Sequence, residues 1–233
     1  QTANDVIYSI NSFEMGSPLE EVGRNDDEIL HTAGLRDLLV CAPYEVTQLE
    51  WTAMGMTNNS HFIGDNLPVE NVTWNQAIEY CNLLSVADGY TPAYNGTDWD
   101  RNTDGWRLPT EAEWEYQCRA DSEGSYNGEN IDDLGWHDGN SGFTTHPVGE
   151  KLPNAWGLYD MHGNVREWCW DWYSEYEDGV MLDPTGPATG VQKVVRGGSW
   201  HYFARECRSA ARGVYYPSSA DDFIGFRVVR SVQ

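Results

Sequence analysis

The chain has 233 residues, of which 14 are Lys or Arg and 37 are Asp or Glu, and its formal net charge is −23 at pH 7. This excess of acid excludes nucleic acid and anionic membrane surfaces as partners, because phosphate binding requires clustered basic side chains. A chain of this length buries about 70% of its unfolded surface on folding, so the sequence predicts one domain, residues 1–233, with a sizeable core. We expect the domain to be a monomer.

The aromatic and glycine content predicts a loop-rich domain. The chain has 11 Trp, 13 Tyr and 23 Gly, and large flat side chains combined with glycines suit irregular loops. No apolar run approaches the ~20 residues of a membrane helix. The chain starts at Gln1 without Met, and from this we expect that an upstream signal or lipid anchor was removed and that the protein is lipid-anchored at a cell surface.

The cysteines predict neither a zinc site nor a redox pair. They are far apart in sequence, and none belongs to a C-x-x-C motif or has a histidine at zinc-ligand spacing. We expect buried free thiols at the five positions, which are Cys41, Cys81, Cys118, Cys169 and Cys207.

The first half of the chain predicts several short elements. Residues 13–17 have the pattern of a strand that ends in a turn, and residues 44–47 have strand character. A helix is predicted from Thr47 and is ended by the polar residues 58–60.

Two further helices carry clear start signals. Thr73 precedes apolar residues that repeat at helical spacing until Gly89, which is typical of an N-cap and a C-terminal glycine. Thr110 and Glu113 form a capping box, which predicts a second helix from residue 110.

The remaining residues predict loops and then strands. Residues 98–105 are polar and rich in turn formers, and residues 121–190 lack sustained periodicity. Little regular structure is therefore expected there. Strands return at residues 192–196 and 225–230.

The C-terminal segment differs in charge from the rest of the chain. Residues 191–233 contain seven basic and three acidic residues. Two interpretations are open: the arginines pack inside an acidic body, or the segment is a separate recognition surface. Arg107, which lies among apolar residues, is interpreted as the centre of a structural ion pair or hydrogen-bond network.

Five sequence phrases follow one another along the chain. They are Pro-Val-Glu-Asn-Val-Thr-Trp (68–74), Gly-Trp-Arg-Leu-Pro-Thr-Glu-Ala-Glu-Trp-Glu-Tyr (105–116), Gly-Leu-Tyr-Asp-Met-His-Gly-Asn-Val-Arg-Glu-Trp (157–168), Val-Arg-Gly-Gly-Ser-Trp (195–200) and Gly-Phe-Arg-Val-Val (225–229). Together they resemble the formylglycine-generating enzyme, or sulfatase-modifying factor, family, and the resemblance covers about residues 40 to 230. It implies an α+β chain with the C-type lectin-like fold of that family, loop-rich, with few helices and short antiparallel strands.

The resemblance also identifies where catalytic cysteines would lie. Active members oxidise a substrate cysteine with oxygen, using a copper ion held by two cysteines three and eight positions after Gly-Gly-Ser. Counted from Ser199, these positions are Tyr202 and Cys207. Cu(I) prefers thiolates, and a phenol is protonated at neutral pH, so the two-thiolate site cannot form. We therefore expect no catalytic residues. The alternative is a formylglycine-generating-enzyme-like oxidase or a related metal-dependent enzyme.

Calcium is the one cofactor that the resemblance leaves open. The family often binds Ca²⁺ around the segment that corresponds to residues 163–168. Asn164 and Glu167 supply side-chain oxygens three positions apart, and structural hydrogen bonding is the alternative role for both.

Residues 197–227 resemble the variable region of proteins that a diversity-generating retroelement diversifies. In those proteins the adenines of a template repeat are randomised, mostly within Asn codons, while Gly-Gly-Ser-Trp, Cys-Arg-Ser and Ile-Gly-Phe-Arg stay fixed. An AAC codon changed at its first two positions never encodes Lys, Trp, Met, Gln or Glu, so Glu206 falls outside the variable set. The twelve positions that we predict to vary and to bind a ligand all carry residues of the permitted set, which is broad: His201, Tyr202, Phe203, Arg205, Gly213, Val214, Tyr215, Tyr216, Ser219, Asp221, Asp222 and Phe223.

The side chains of this set resemble a paratope, in which rigid rings supply contact area and charges supply selectivity. The resemblance implies a non-enzymatic protein that binds a macromolecular ligand, either a protein or a surface glycan. The alternative for the aromatic residues is burial in the core, and Phe223 fits either environment. Tyr215 and Tyr216 are neighbours, so at least one of them should be exposed. An adhesion module without variability is a further alternative.

Overall fold

The computed structural model describes residues 6–8, 12–176 and 179–232, with the backbone alone for residues 6–8 and 38. Its helices are α1 (Gln48–Ala53), α2 (Trp74–Asp88), α3 (Glu111–Arg119), α4 (Ile131–Leu134) and a 3₁₀ helix (Ala204–Cys207). Its strands are β1 (Val6–Tyr8), β2 (Ser12–Met15), β3 (His31–Gly34), β4 (Leu38–Cys41), β5 (Tyr94–Asn95), β6 (Asp98–Trp99), β7 (Arg166–Trp172), β8 (Val180–Leu182), β9 (Lys193–Arg196), β10 (Gly213–Tyr215), β11 (Ile224–Gly225) and β12 (Val229–Val232). Over these ranges no helix has the length and apolar character needed to cross a bilayer.

The strands form four small sheets. The orders are β10-β9-β7-β11, β1-β4-β12, β2-β3-β8 and β5-β6. Most pairs are antiparallel, as predicted, whereas β3 with β8 and β7 with β11 are parallel. Because β7 lies between β9 and β11, it holds the C-terminal segment against the body of the domain. Few helices, short strands and long loops confirm the predicted α+β, loop-rich class.

Three helices begin where the sequence places a threonine. The hydroxyls of Thr47, Thr73 and Thr110 each accept a hydrogen bond from the backbone N–H three residues on, and the Glu or Gln there accepts one from the cap backbone. This capping box satisfies donors that a helix start leaves unpaired. α2 ends at Gly89, whose φ of 81° is left-handed and favours glycine. The predicted starts at all three threonines are confirmed.

Several predicted boundaries are wrong. α1 ends at Ala53, before residues 58–60. Residues 44–47 are not a strand, because their backbone bonds to distant loops, as when the N–H of Val46 donates to the carbonyl of Phe226 at 2.9 Å. The strand predicted at 225–230 is split, because the chain leaves β11 for a different sheet before β12 begins.

Regular structure is also present where loops were predicted. Residues 98–105 include β6, which pairs with β5 as a short hairpin. Residues 121–190 include α4, β8 and the longest strand, β7. Four of the seven residues from Arg166 onward are consecutively buried, so β7 shows little alternation of apolar and polar residues, which is the usual sequence signal for a strand.

Large aromatic side chains fill the core. Trp51, Trp114 and Trp168 are at most 1% exposed. The indole N–H groups of these three residues have partners, which are the carbonyl of Thr57, the carboxylate of Glu167 and the carbonyl of Val72 in that order. The five cysteines are buried and free, as predicted.

Buried arginines tie the acidic body together. Arg107 donates to both carboxylate oxygens of Glu113, at 2.6 and 2.7 Å, and its guanidinium lies over Trp99, which confirms its structural role. Four arginines of the basic C-terminal segment are likewise buried against carboxylates: Arg196, Arg208, Arg212 and Arg227. The charge asymmetry of the chain therefore arises mainly from arginines that pack inside an acidic body.

Candidate ligand-binding surface

Two glycines start the C-terminal segment at residue 197. Gly197 and Gly198 have φ of 96° and 69°, and a Cβ at Gly198 would overlap the sulfur of Cys207. The turn therefore requires glycine at that position. Beyond it the chain forms the 3₁₀ helix, β10 and β11.

Burial alternates along this segment. Residues 207–212 and 224–229 are buried throughout, whereas none of the twelve predicted ligand-binding residues is buried. We call the twelve residues the candidate surface and the two buried segments, residues 207–212 and 224–229, the frame. Four members of the candidate surface are exposed, namely His201, Phe203, Arg205 and Tyr216, and the others are half-buried: Tyr202, Gly213, Val214, Tyr215, Ser219, Asp221, Asp222 and Phe223. Binding by these residues stays a prediction.

Phe223 lies at the centre of an aromatic cluster. The ring of His201 stacks on it with centroids 5.8 Å apart, Tyr202 meets it edge-on at 5.4 Å, and Tyr215 is tilted at 5.9 Å. Phe223 also packs against the main core. Both interpretations of Phe223 therefore hold, since one part of the ring faces the core and another supports the surface.

A hydrogen bond links two tyrosines of this cluster. The hydroxyl oxygens of Tyr202 and Tyr215 are 2.7 Å apart. Burial, followed by this hydrogen bond, raises the pKa of Tyr215, so Tyr215 stays protonated at physiological pH. Tyr216 is 56% exposed, which confirms that at least one of the neighbouring tyrosines faces solvent.

The outer edge of the candidate surface combines an aromatic ring with a cation. Phe203 is 60% exposed. The guanidinium of Arg205 lies 5.4 Å from the centroid of that ring, and its Nε donates to the carboxylate of Glu206 at 3.2 Å. Exposed rings beside a charge are the side chains that dominate binding energy in protein interfaces.

Backbone hydrogen bonds hold the remaining candidate residues. Gly213 and Val214 pair with β9. The carbonyl of Asp221 accepts from the N–H of Asn71 at 2.9 Å, and the carbonyl of Asp222 accepts from the indole of Trp200 at 3.0 Å. The N–H of Ser219 donates to the carbonyl of Tyr216 at 2.8 Å. These bonds do not depend on the candidate side chains themselves.

Charge pairs anchor the frame beneath. Arg208 donates to Glu28 at 2.6 and 2.8 Å and to Glu21 at 2.6 Å, and Arg212 donates to Glu111 at 2.7 and 2.8 Å. Burial alone raises the pKa of Glu28, but the hydrogen bonds and charge of Arg208 outweigh it, and the pKa is lowered. The frame is therefore fixed by ionised pairs.

The residues at the two positions of the catalytic cysteines do not fit a two-thiolate copper site. The hydroxyl of Tyr202 is bonded to Tyr215. Burial raises the pKa of the Cys207 thiol to about 12, so it is protonated at neutral pH. Within the described ranges, no three His, Cys, Asp or Glu side chains are grouped to hold a metal.

Asn164 and Glu167, the calcium candidates, are fully buried and bonded to protein. The side-chain oxygen of Asn164 accepts from the N–H of His146 at 3.0 Å. Both carboxylate oxygens of Glu167 accept from Arg227 at 2.7 Å, and one also accepts from the indole of Trp114. A calcium ion bound here would have to replace these hydrogen bonds.

The fold and the sequence agree with one protein family. A family model, "Sulfatase-modifying factor enzyme 1-like domain", matches residues 7–232. The chain belongs to this family. Formylglycine-generating enzyme of Mus musculus is 34% identical over 182 residues, covering 70% of this chain and 44% of that protein, and the enzyme of Streptomyces coelicolor is 35% identical over 185 residues, covering 70% and 52%. The chain thus spans about half the length of these enzymes.

Another relative, which is not named as an enzyme, matches this chain over a larger share of its own length than the two enzymes do. Chaperone protein LppX of Paenibacillus barcinonensis is 33% identical over 228 residues, covering 81% of this chain and 78% of that protein. The family therefore includes proteins named as enzymes and a protein named as a chaperone.

Two solved structures of other proteins match almost the whole chain. Treponema denticola variable protein 1, TvpA, has a TM-score of 0.90 at 31% identity and covers 98% of this chain and 95% of its own. PvdO from Pseudomonas aeruginosa has a TM-score of 0.81 at 29% identity, with 97% and 93% covered. These matches confirm the predicted fold and the predicted likeness to a variable protein.

Sequence reasoning missed Arg166, the first residue of β7. Its guanidinium carbon lies 4.0 Å from the centroid of the Tyr202 ring, directly beneath the candidate surface. The signal in the sequence is slight, because Arg166 stands beside Glu167 and resembles an ordinary ion pair. The contact with Tyr202 depends on how β7, β9 and β10 align.

Proposed function

We propose that this chain is a non-enzymatic ligand-binding protein that displays a hypervariable surface, generated by a diversity-generating retroelement, at a bacterial cell surface. One observation carries the proposal: the twelve positions predicted to vary are all exposed or half-buried, whereas the phrases predicted to stay fixed, residues 197–200, 207–209 and 224–227, are buried. The assignment of variable and fixed positions uses the sequence alone, so its agreement with burial supports a segment built for variation. The likeness to a protein named as a variable protein adds support.

The proposed ligand is a macromolecule, either a protein or a surface glycan. Exposed Phe203 and Tyr216 with Arg205 supply rings and a cation, which suit a broad interface better than an enclosed pocket for a small molecule. Aromatic side chains lose little conformational entropy on binding, because they have two rotatable bonds. In this proposal the frame stays constant while the candidate surface changes its ligand.

A pair of display libraries tests whether the candidate surface can act as a paratope. The first library varies the twelve positions through AAC codons randomised at their first two bases, and the control library varies twelve equally exposed positions on α1, α2 and the loops beside them. Both are selected against a panel of unrelated folded proteins. We expect specific binders from the first library only, and binders at equal frequency from both would contradict the proposal.

An oxidase is the alternative, because formylglycine-generating enzymes are 34–35% identical to this chain. A cysteine-containing peptide incubated with the protein, copper and oxygen, and followed by mass spectrometry, distinguishes the two. We expect the peptide cysteine to remain unchanged, since Tyr202 and the protonated Cys207 do not fit the two-thiolate site. Conversion that Cys207→Ser abolishes would establish the oxidase.

The proposal includes a lipid anchor that attaches the protein to the cell surface. Labelling the full gene product with a radioactive fatty acid in the source organism tests it. Incorporation of label and recovery with membranes are expected, and unlabelled protein would contradict the lipid anchor while leaving ligand binding untouched.

A further inference from the structure

Arg166 differs from the other buried arginines. Seven arginines within the described ranges are buried, and six of them donate hydrogen bonds to a carboxylate: Arg107, Arg119, Arg196, Arg208, Arg212 and Arg227. The carboxylate nearest to Arg166 is that of Glu206, at 4.0 Å. Its Nε is buried without any partner.

A buried charge whose donors lack hydrogen bonds is costly, and proteins normally supply both a counter-ion and hydrogen bonds. This chain has 37 acidic residues, and its other buried arginines all use them. Arg166 has a long ion pair with Glu206 but no hydrogen bond to a carboxylate, so its guanidinium retains donors for a group outside the chain.

Two members of the candidate surface cover Arg166. The ring of Tyr202 lies over the guanidinium, with 4.0 Å from its carbon to the ring centroid, and this cation–π contact partly replaces a counter-ion. Gly213 lies beside it, and a Cβ there would overlap Nη1 of Arg166. A side chain at position 213 would therefore push the guanidinium away.

We propose that Arg166 is a carboxylate-binding group in the floor of the candidate surface, covered when residue 202 is aromatic and presented to the ligand when residue 202 is small. The carboxylate is that of an Asp or Glu side chain of a protein ligand, because a planar guanidinium binds a carboxylate through two parallel hydrogen bonds. The inference rests on the proposed function, since it gives the ligand chemistry of the same surface. Arg166 itself is outside the variable set, so this fixed cation serves those versions of the surface that keep glycine at position 213.

Phenylglyoxal modifies accessible guanidinium groups, so labelling of arginines with this reagent tests whether the ring of Tyr202 shields Arg166. The native protein is compared with Tyr202→Ala, with Tyr202→Ser as a second small variant and Tyr202→Phe as the matched control that keeps the ring. Mass spectrometry of peptides gives the rate at each arginine. Arg205, whose side chain is 63% exposed, and Arg227, which is fully buried, are internal standards.

We expect Arg166 to react slowly in the native protein and in Tyr202→Phe, and about tenfold faster in Tyr202→Ala and Tyr202→Ser, because the reaction follows the accessible fraction. Arg205 and Arg227 should keep their rates, which establishes that the fold is intact. Equal Arg166 rates in Tyr202→Ala, Tyr202→Ser and Tyr202→Phe would overturn the inference.

Protection by acetate then tests the ligand class. In Tyr202→Ala, acetate should slow labelling of Arg166 about twofold at a concentration equal to its Kd, as simple binding requires, whereas chloride at equal ionic strength should not. Equal effects of acetate and chloride would overturn the carboxylate assignment. These rates do not depend on diversification, so uniform sequences among isolates would refute the proposed function and leave this result standing.

Discussion

Removal of the Glu111 charge tests whether buried ion pairs hold the frame. Glu111 lies at the start of α3, and its carboxylate accepts from Arg212 at 2.7 and 2.8 Å and from Arg196 at 3.3 Å. Glu111→Gln keeps the size of the side chain and leaves two buried guanidinium groups short of a counter-charge. Loss of one partner of a buried pair costs about 3–5 kcal/mol. In a chain of this size that lowers Tm by about 6–20 °C.

The assay is urea unfolding followed by circular dichroism, with the slope m compared to exclude a change in the unfolded state. Phe203→Ser and Tyr216→Ser, at 60% and 56% exposed positions, serve as controls and should change the free energy of unfolding by less than about 0.5 kcal/mol. A loss below about 1 kcal/mol in Glu111→Gln, or a loss above about 2 kcal/mol in either control, would refute the division into a rigid frame and a tolerant surface.

Three further predictions concern single side chains around the site. Burial raises the pKa of Glu70 to about 7, so the folded state binds this proton more tightly than the unfolded state, and stability falls by about 1–3 kcal/mol as pH rises from about 4.5 through 7. Glu70→Gln should flatten that fall in urea unfolding, and an unchanged slope would contradict the assignment. Because Arg227 and Trp114 occupy the Glu167 carboxylate, Tm measured by scanning calorimetry should agree within about 1 °C in calcium chloride and in EDTA, and a rise of more than about 3 °C with calcium would show binding. Cys207, with its pKa of about 12, should resist iodoacetamide in the native protein at pH 8 and react on unfolding; rapid native labelling detected by mass spectrometry would contradict its burial.

Local signals made the helices predictable. Thr73 and Thr110 each stand three residues before a Gln or Glu, and a capping box needs only those neighbours. β7 lacks such a signal, because it lies between β9 and β11 and most of its residues are buried. Polar and apolar residues alternate along a strand only where one face of the strand is exposed to solvent.

The candidate surface was predictable as a set of positions but not as a geometry. The resemblance to a variable region gives positions such as His201 and Phe223 without any knowledge of burial, and the codon rule permits the residues found there. Their stacking, and the position of Arg166 beneath Tyr202, arise from contacts between residues that are 22 and 36 positions apart in the chain. Such contacts depend on strand register, and the residues near each strand in the sequence do not determine that register.

Variation in nature tests the central claim most directly. The measurement is the sequence of codons 195–230 across isolates of the source organism, together with a search for a template repeat and a reverse transcriptase gene beside this gene. The proposal predicts that substitutions concentrate at the twelve positions of the candidate surface, while residues 207–212 and 224–229 stay constant. Uniform sequences, or substitutions spread equally over the buried frame, would contradict it.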